Sequence, residues 1–85
     1  MAVDAQALTA LADELFVDSD NKKFVRKLLK KGDIRGAQLY LLGAIDAAYE
    51  FGGFDFPQAG RYCERLGLKG EESARVEYKY ELTPS

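Results

Sequence analysis

The nineteen residues from Asp33 to Phe51, DIRGAQLYLLGAIDAAYEF, constrain this chain more than any other stretch. On a helical wheel its apolar side chains, from Ile34, Ala37, Leu41, Ala44, Ile45 and Ala48 round to Leu42, Tyr49, Tyr40 and Phe51, cover most of the circumference. Arg35, Asp46 and Glu50 form a narrow polar stripe that includes an exposed Leu39, and Gln38 stands apart. A helix apolar on so many sides is not expected at the surface, so the sequence places it centrally, wrapped by its neighbours. Gly36, Gly43 and Ala47 fall along one seam. An interior glycine costs about 1 kcal/mol of helix propensity relative to alanine, and close approach by another helix is the expected compensation.

Eighty-five residues allow a single domain, 1–85, with one core. A hydrophobic content of 47% beside 31% charged residues excludes a disordered chain. The margin of stability in so small a domain is thin, which makes self-association an expectation. No apolar run reaches the ~20 residues of a membrane span, and no basic start precedes an apolar leader, so a cytoplasmic location is expected. Cys63, the single cysteine, has no partner for an internal disulfide.

Residues 4–16 read as a first helix on the spacing of Leu8, Leu11, Ala12, Leu15 and Phe16, with Asp4 as N-cap and Val3 stapled against Leu8. The run Asp18-Ser19-Asp20-Asn21 breaks it. A second helix, about 21–31, turns Phe24, Val25, Leu28 and Leu29 to one side. Gly32 then supplies the C-terminal stop and Asp33 caps the central helix, a connection short enough to fold the two back antiparallel. Gly52-Gly53 ends the central helix. Phe54-Asp55-Phe56 is expected to be extended, with both rings facing one way. Pro57 opens a fourth helix to about Leu66, with Ala59, Tyr62, Cys63 and Leu66 inward, and a charged loop follows from 68 to 73. From 75 to 82 the alternation of Val76, Tyr78, Tyr80 and Leu82 with charged residues predicts a short β-strand. The expected architecture is mainly α: a small bundle of four helices around a central buried helix (33–51) plus that C-terminal strand.

The window from Lys22 to Arg35 holds seven basic residues, Lys22, Lys23, Arg26, Lys27, Lys30, Lys31 and Arg35, and one acid, Asp33. The rest of the chain carries five basic and thirteen acidic residues, so a basic face sits on an acidic body. Such a face suits an acidic protein, acidic lipid, or a nucleic acid or other polyanion; as a solvated face it needs no ligand. Lysine dominates, no aromatic is interleaved for base stacking, and the net charge is −2, which places nucleic acid second to protein. A helix-turn-helix reader is disfavoured because the helix after Gly32 has no polar face to read bases.

Within one hairpin, Gly32-Asp33, Ala37, Tyr40, Ala44 and Ile45 stand at the spacings of the second helix of a tetratricopeptide repeat, and Phe24 and Leu28 loosely suit its first. The hairpin resembles that family over about 30 residues, and the resemblance implies a helix pair of the kind that holds peptides. No second copy follows at the family's ~34-residue period, and one unit cannot build the stacked groove, so we read it as shared packing logic.

Aromatic residues crowd the C-terminal half: Tyr49, Phe51, Phe54, Phe56, Tyr62, Tyr78 and Tyr80. Most are expected in the core. Val76, Tyr78, Tyr80 and Leu82, on a strand with no evident partner inside the chain, would form an interface for strand addition or a homodimer. Chemistry finds little footing. The chain has no histidine to serve as a base, and Cys63 reads as buried filler. Asp18-Ser19-Asp20 begins like a calcium loop, but Lys22 and Lys23 stand where a ligand and the glycine belong. No phosphate-binding glycine motif is present. The expectation is therefore a non-enzymatic protein-binding domain, an adaptor, regulator or inhibitor that self-associates, without metal or cofactor.

Overall fold

Among the described residues, four of the five helices begin on an aspartate. The computed structural model describes residues 4–82, which form α1 (Ala5–Leu15), α2 (Ser19–Lys30), α3 (Ile34–Glu50), α4 (Phe56–Arg65) and α5 (Glu71–Lys79). The carboxylate of Asp4 accepts from the Ala7 N–H at 2.8 Å, Asp18 from Asn21 at 2.9 Å, Asp33 from Gly36 at 2.9 Å and Asp55 from Gln58 at 2.8 Å. Each satisfies an N–H that the first turn would otherwise leave unpaired, worth about 1 kcal/mol. The staple expected from Val3 lies outside the described residues.

Glycines end two of these helices by the same device. After α2, Gly32 adopts φ +81°, its N–H returns to the Leu29 carbonyl, and the Asp33 N–H returns to Leu28. After α3, Gly52 adopts φ +80°, with its N–H on Tyr49 and that of Gly53 on Ala48. Both are Schellman ends, and they require a left-handed residue. The first reverses the chain within three residues. Phe24 of α2 consequently faces Tyr40 of α3, their ring centroids 4.7 Å apart, as an antiparallel pair would place them.

α3 packs against α1, α2 and α4. Its Ala37, Leu41, Leu42 and Ile45 join Leu8, Leu11 and Ala12 of α1, Val25 of α2, Ala59 and Cys63 of α4, Leu66, Val76 and Tyr80 in one buried cluster. The wrapping of α3 is nevertheless partial. Leu39, Gly43 and Ala47, on the side opposite Leu41 and Ile45, are exposed. A Cβ built on Gly43 would meet nothing within 4 Å, so the close approach expected along that seam does not occur there among the described residues. At Gly36 the neighbour is not another helix but the capping carboxylate of Asp33, whose Oδ2 lies 2.3 Å from where a Cβ would stand.

The predicted strand at 75–82 is corrected to a helix. α5 runs from Glu71 to Lys79 and ends with the Tyr80 N–H on the Val76 carbonyl. Val76 and Tyr80 satisfy a period of two and also lie four residues apart, on one helical face, and both are buried. Tyr78, which a strand would have turned the same way, is 90% exposed. Glu71 and Glu72 in the first turn and Lys79 in the last complement the helix dipole, a signal the charged-loop reading passed over. Glu72 bonds Arg35 near the start of α3 while Lys79 reaches Asp46 further along it, so α5 lies beside α3 in the same direction. The segment before α4 also differs from expectation. Asp55 is the cap of α4, and the two rings part: Phe54 packs on Tyr62 at 5.0 Å, and Phe56 on Tyr49 and Tyr80.

Candidate binding surfaces

Amphipathicity puts the basic residues of α2 outward: Val25 is buried, and Lys23, Arg26, Lys27, Lys30 and Lys31 are exposed, with Lys22 half-buried. The seven basic residues do not act alike. Arg26 holds Asp13 of α1 through Nη2, at 3.0 and 3.3 Å from its two oxygens, and Arg35 is tied to Glu72 of α5. Both arginines thus bridge helices. Lys22, Lys23, Lys27, Lys30 and Lys31 have no carboxylate within 4.0 Å among the described residues. Lys27 and Lys30 stand in the last turn of α2, where the helix dipole favours them. At the edge of this row Phe24 remains 46% exposed, its ring resting on Tyr40. Tyr40 is fixed in turn by donating its hydroxyl to Oδ1 of Asn21.

The second expected surface is not assembled. Of Val76, Tyr78, Tyr80 and Leu82, Val76 and Tyr80 are 5% and 3% exposed and belong to the core. Leu82 is partly buried over Gly60, where an added Cβ would come within 3.1 Å of it. Only Tyr78 faces solvent. Tyr80 donates its hydroxyl to Oδ1 of Asp46, and burial, reinforced by that bond and the aspartate's charge, pushes its pKa far above the ordinary phenol value.

Two further features stand outside those surfaces, the first unforeseen in the sequence and the second foreshadowed only by the seam of Gly43 and Ala47 and by Leu39. An open cleft of about 250 Å³ is lined by Glu14, Gln58, Arg61, Tyr62 and Arg65. Arg65 there meets Glu14 with both terminal nitrogens, at 2.9 and 2.5 Å, and the hydrogen bond holds the Glu14 carboxyl below its usual range. The partners lie 51 residues apart in sequence, a separation no local pattern reveals. The other feature is an apolar ridge on α3. Leu39, Gly43, Ala47 and Phe51 recur at every fourth residue, all exposed, with Phe51 at 90%.

Cys63 is buried, and its thiol pKa is pushed up to about 12, first by burial and then by the negative charge of Asp46. It stays protonated at neutral pH and is a poor nucleophile. Among the described residues no three His, Cys, Asp or Glu side chains gather as a metal site, and no helix is long and apolar enough to cross a membrane. No protein-family model matches the chain, and no curated protein or solved structure is similar to it.

Proposed function

We propose that this chain is a non-enzymatic binding domain that docks an acidic segment of a partner protein on the outer face of α2. What carries the reading is the contrast within one charged face: Arg26 and Arg35 are engaged with Asp13 and Glu72, while Lys23, Lys27, Lys30 and Lys31 point outward with no acid beside them among the described residues. In a chain of net charge −2 with thirteen acids outside the Lys22–Arg35 window, this row concentrates uncompensated positive charge. Phe24 adds an apolar contact at the row's edge, which suits an amphipathic acidic peptide. Its ring is packed on Tyr40 rather than standing free, and no other aromatic lies among the lysines, so a stacking platform for bases is lacking.

The test is titration of fluorescent acidic amphipathic peptides and, separately, of single-stranded and duplex oligonucleotides, at low and moderate salt. Peptide binding weakened about 10-fold or more by Lys23→Glu with Lys27→Glu supports the reading. Oligonucleotide binding with a steep salt slope, in the absence of peptide binding, would instead select the polyanion alternative on the same lysines. Failure of both ligand classes to bind refutes docking on this face.

A further inference from the structure

The exposed ridge of α3 has a shape and a charge pattern that fit a second copy of itself. Leu39, Gly43, Ala47 and Phe51 form an i, i+4 row, the kind of row that interdigitates in the commonest helix packing. They stand opposite the buried Leu41 and Ile45, on a molecule whose extents are 32 × 28 × 16 Å. Among the described residues the neighbours of α3 gather on its Leu41 and Ile45 side, and the opposite side is left bare. Nothing among the described residues accounts for glycine at 43: a Cβ there meets none of their atoms within 4 Å, yet glycine in a helix interior costs propensity. Lack of a side chain at that point permits close approach only from outside.

The charges choose the partner and its direction. Arg35 lies at the N-terminal end of the ridge and Glu50 at the C-terminal end, with side chains 56% and 67% exposed. Arg35 binds Glu72 through a single nitrogen, and Glu50 is 3.9 Å from Lys79, so each retains bonding capacity. We infer that two copies of this chain associate through α3, antiparallel about a two-fold axis at Gly43. That axis sets Leu39 against the second copy's Ala47, and Arg35 close to the second copy's Glu50, twice by symmetry. A parallel pairing would place each charge against its own kind. The two α3 dipoles oppose one another in the antiparallel arrangement, which is also favourable. This surface is separate from the lysine row of α2 and does not depend on it.

Sedimentation equilibrium of four samples tests the inference: the wild type, Arg35→Glu, Glu50→Arg, and the two variants mixed. Each variant alone sets two like-charged pairs across the axis, so its dimer dissociation constant rises about 10-fold or more over wild type. In the 1:1 mixture every such pair is opposite in sign, and dimer returns as a heterodimer. Gly43→Glu, whose Cβ meets no described residue of its own chain within 4 Å and whose carboxylate meets its own copy at the axis, also loses the dimer while keeping its far-ultraviolet dichroism. Lys23→Glu with Lys27→Glu leaves association unchanged, which separates this interface from the docking face on α2. A wild type that stays monomeric to about 1 mM overturns the inference. So does a mixture no tighter than its components, or a Gly43→Glu chain that dimerises like wild type.

Discussion

The hydroxyl of Tyr80 donates to Oδ1 of Asp46, joining the end of α5 to the middle of α3. The same aspartate oxygen takes Lys79 at 3.2 Å, and the Tyr80 ring lies 5.8 Å from both Tyr49 and Phe56. One residue thus unites the aromatic cluster with the polar contact that orients α5. Tyr80→Phe removes the donor and leaves the ring, and Asp46 keeps Lys79, so the expected loss in urea unfolding is about 1 kcal/mol. Tyr80→Ala also empties the aromatic cluster and is expected to cost about 3 kcal/mol or more. Equal losses for the two variants would show that the hydroxyl, and not the ring, secures α5.

Two buried groups make the fold sensitive to alkali. The Cys63 thiol is raised from 9.0 to about 12 by burial and by Asp46, and the Tyr80 phenol is raised above its ordinary 10.0 by burial and by its bond to Asp46. For each, the folded state holds its proton more tightly than the unfolded state does. Their contributions are therefore complete below about pH 9 and are lost as the pH climbs through the raised values, because only the unfolded chain ionises early. Urea midpoints measured on a pH series should hold up to about pH 9 and then fall progressively toward pH 12. Cys63→Ala should delay the onset to the tyrosine range near 10.0. A midpoint that is level across this interval would contradict the burial of both groups.

The helices that begin on aspartate and end on glycine were legible because capping is local: Asp4, Asp33, Gly32 and Gly52 act within four residues of themselves. Of the inward set expected for α4, Ala59, Cys63 and Leu66 are buried and were legible for the same reason, whereas Tyr62 is only half-buried and lines the cleft. At α5 local pattern was ambiguous, since Val76 and Tyr80 share a face in either conformation. What decided it was tertiary: a place among Tyr49, Phe56 and Asp46 for Tyr80, and Arg35 for Glu72. On the basic face, exposure followed from the wheel, but the division between bridging arginines and unpaired lysines depends on Asp13 and Glu72, which lie 13 and 37 residues from their partners. The ridge of α3 was partly visible as Leu39 in a polar stripe. Its bareness was not, because hydrophobicity alone does not say which apolar side a small bundle fails to cover.

The two glycines inside α3 should respond oppositely to alanine. At Gly43 the new methyl meets open space in a helix interior, so Gly43→Ala is expected to stabilise the dilute monomer by about 1 kcal/mol. At Gly36 the methyl falls 2.3 Å from Oδ2 of Asp33 and 2.6 Å from its Cγ. The carboxylate has to shift, which strains the cap it forms with the Gly36 N–H, a bond worth about 1 kcal/mol. Gly36→Ala is therefore expected to be neutral or destabilising by thermal unfolding at low protein concentration. Similar stabilisation at both sites would mean that the Asp33 cap contributes little.

Gly32 presents the reverse of Gly43: space without freedom. A Cβ on Gly32 would also meet nothing within 4 Å, yet the residue holds φ +81°, and its N–H and that of Asp33 close the Schellman end of α2. An L side chain in that region costs about 1–2 kcal/mol from contact with its own carbonyl, however empty the surroundings. Gly32→Ala is expected to lower stability by about that amount, whereas Gly32→Asn, whose side chain tolerates the left-handed region, should lose less. Because the turn sets how α2 folds back on α3, the strain is also expected to loosen Phe24 from Tyr40. Urea unfolding of both variants, followed by tyrosine fluorescence, measures the two effects together. Alanine tolerated as well as asparagine would show that this turn adapts instead of imposing its conformation.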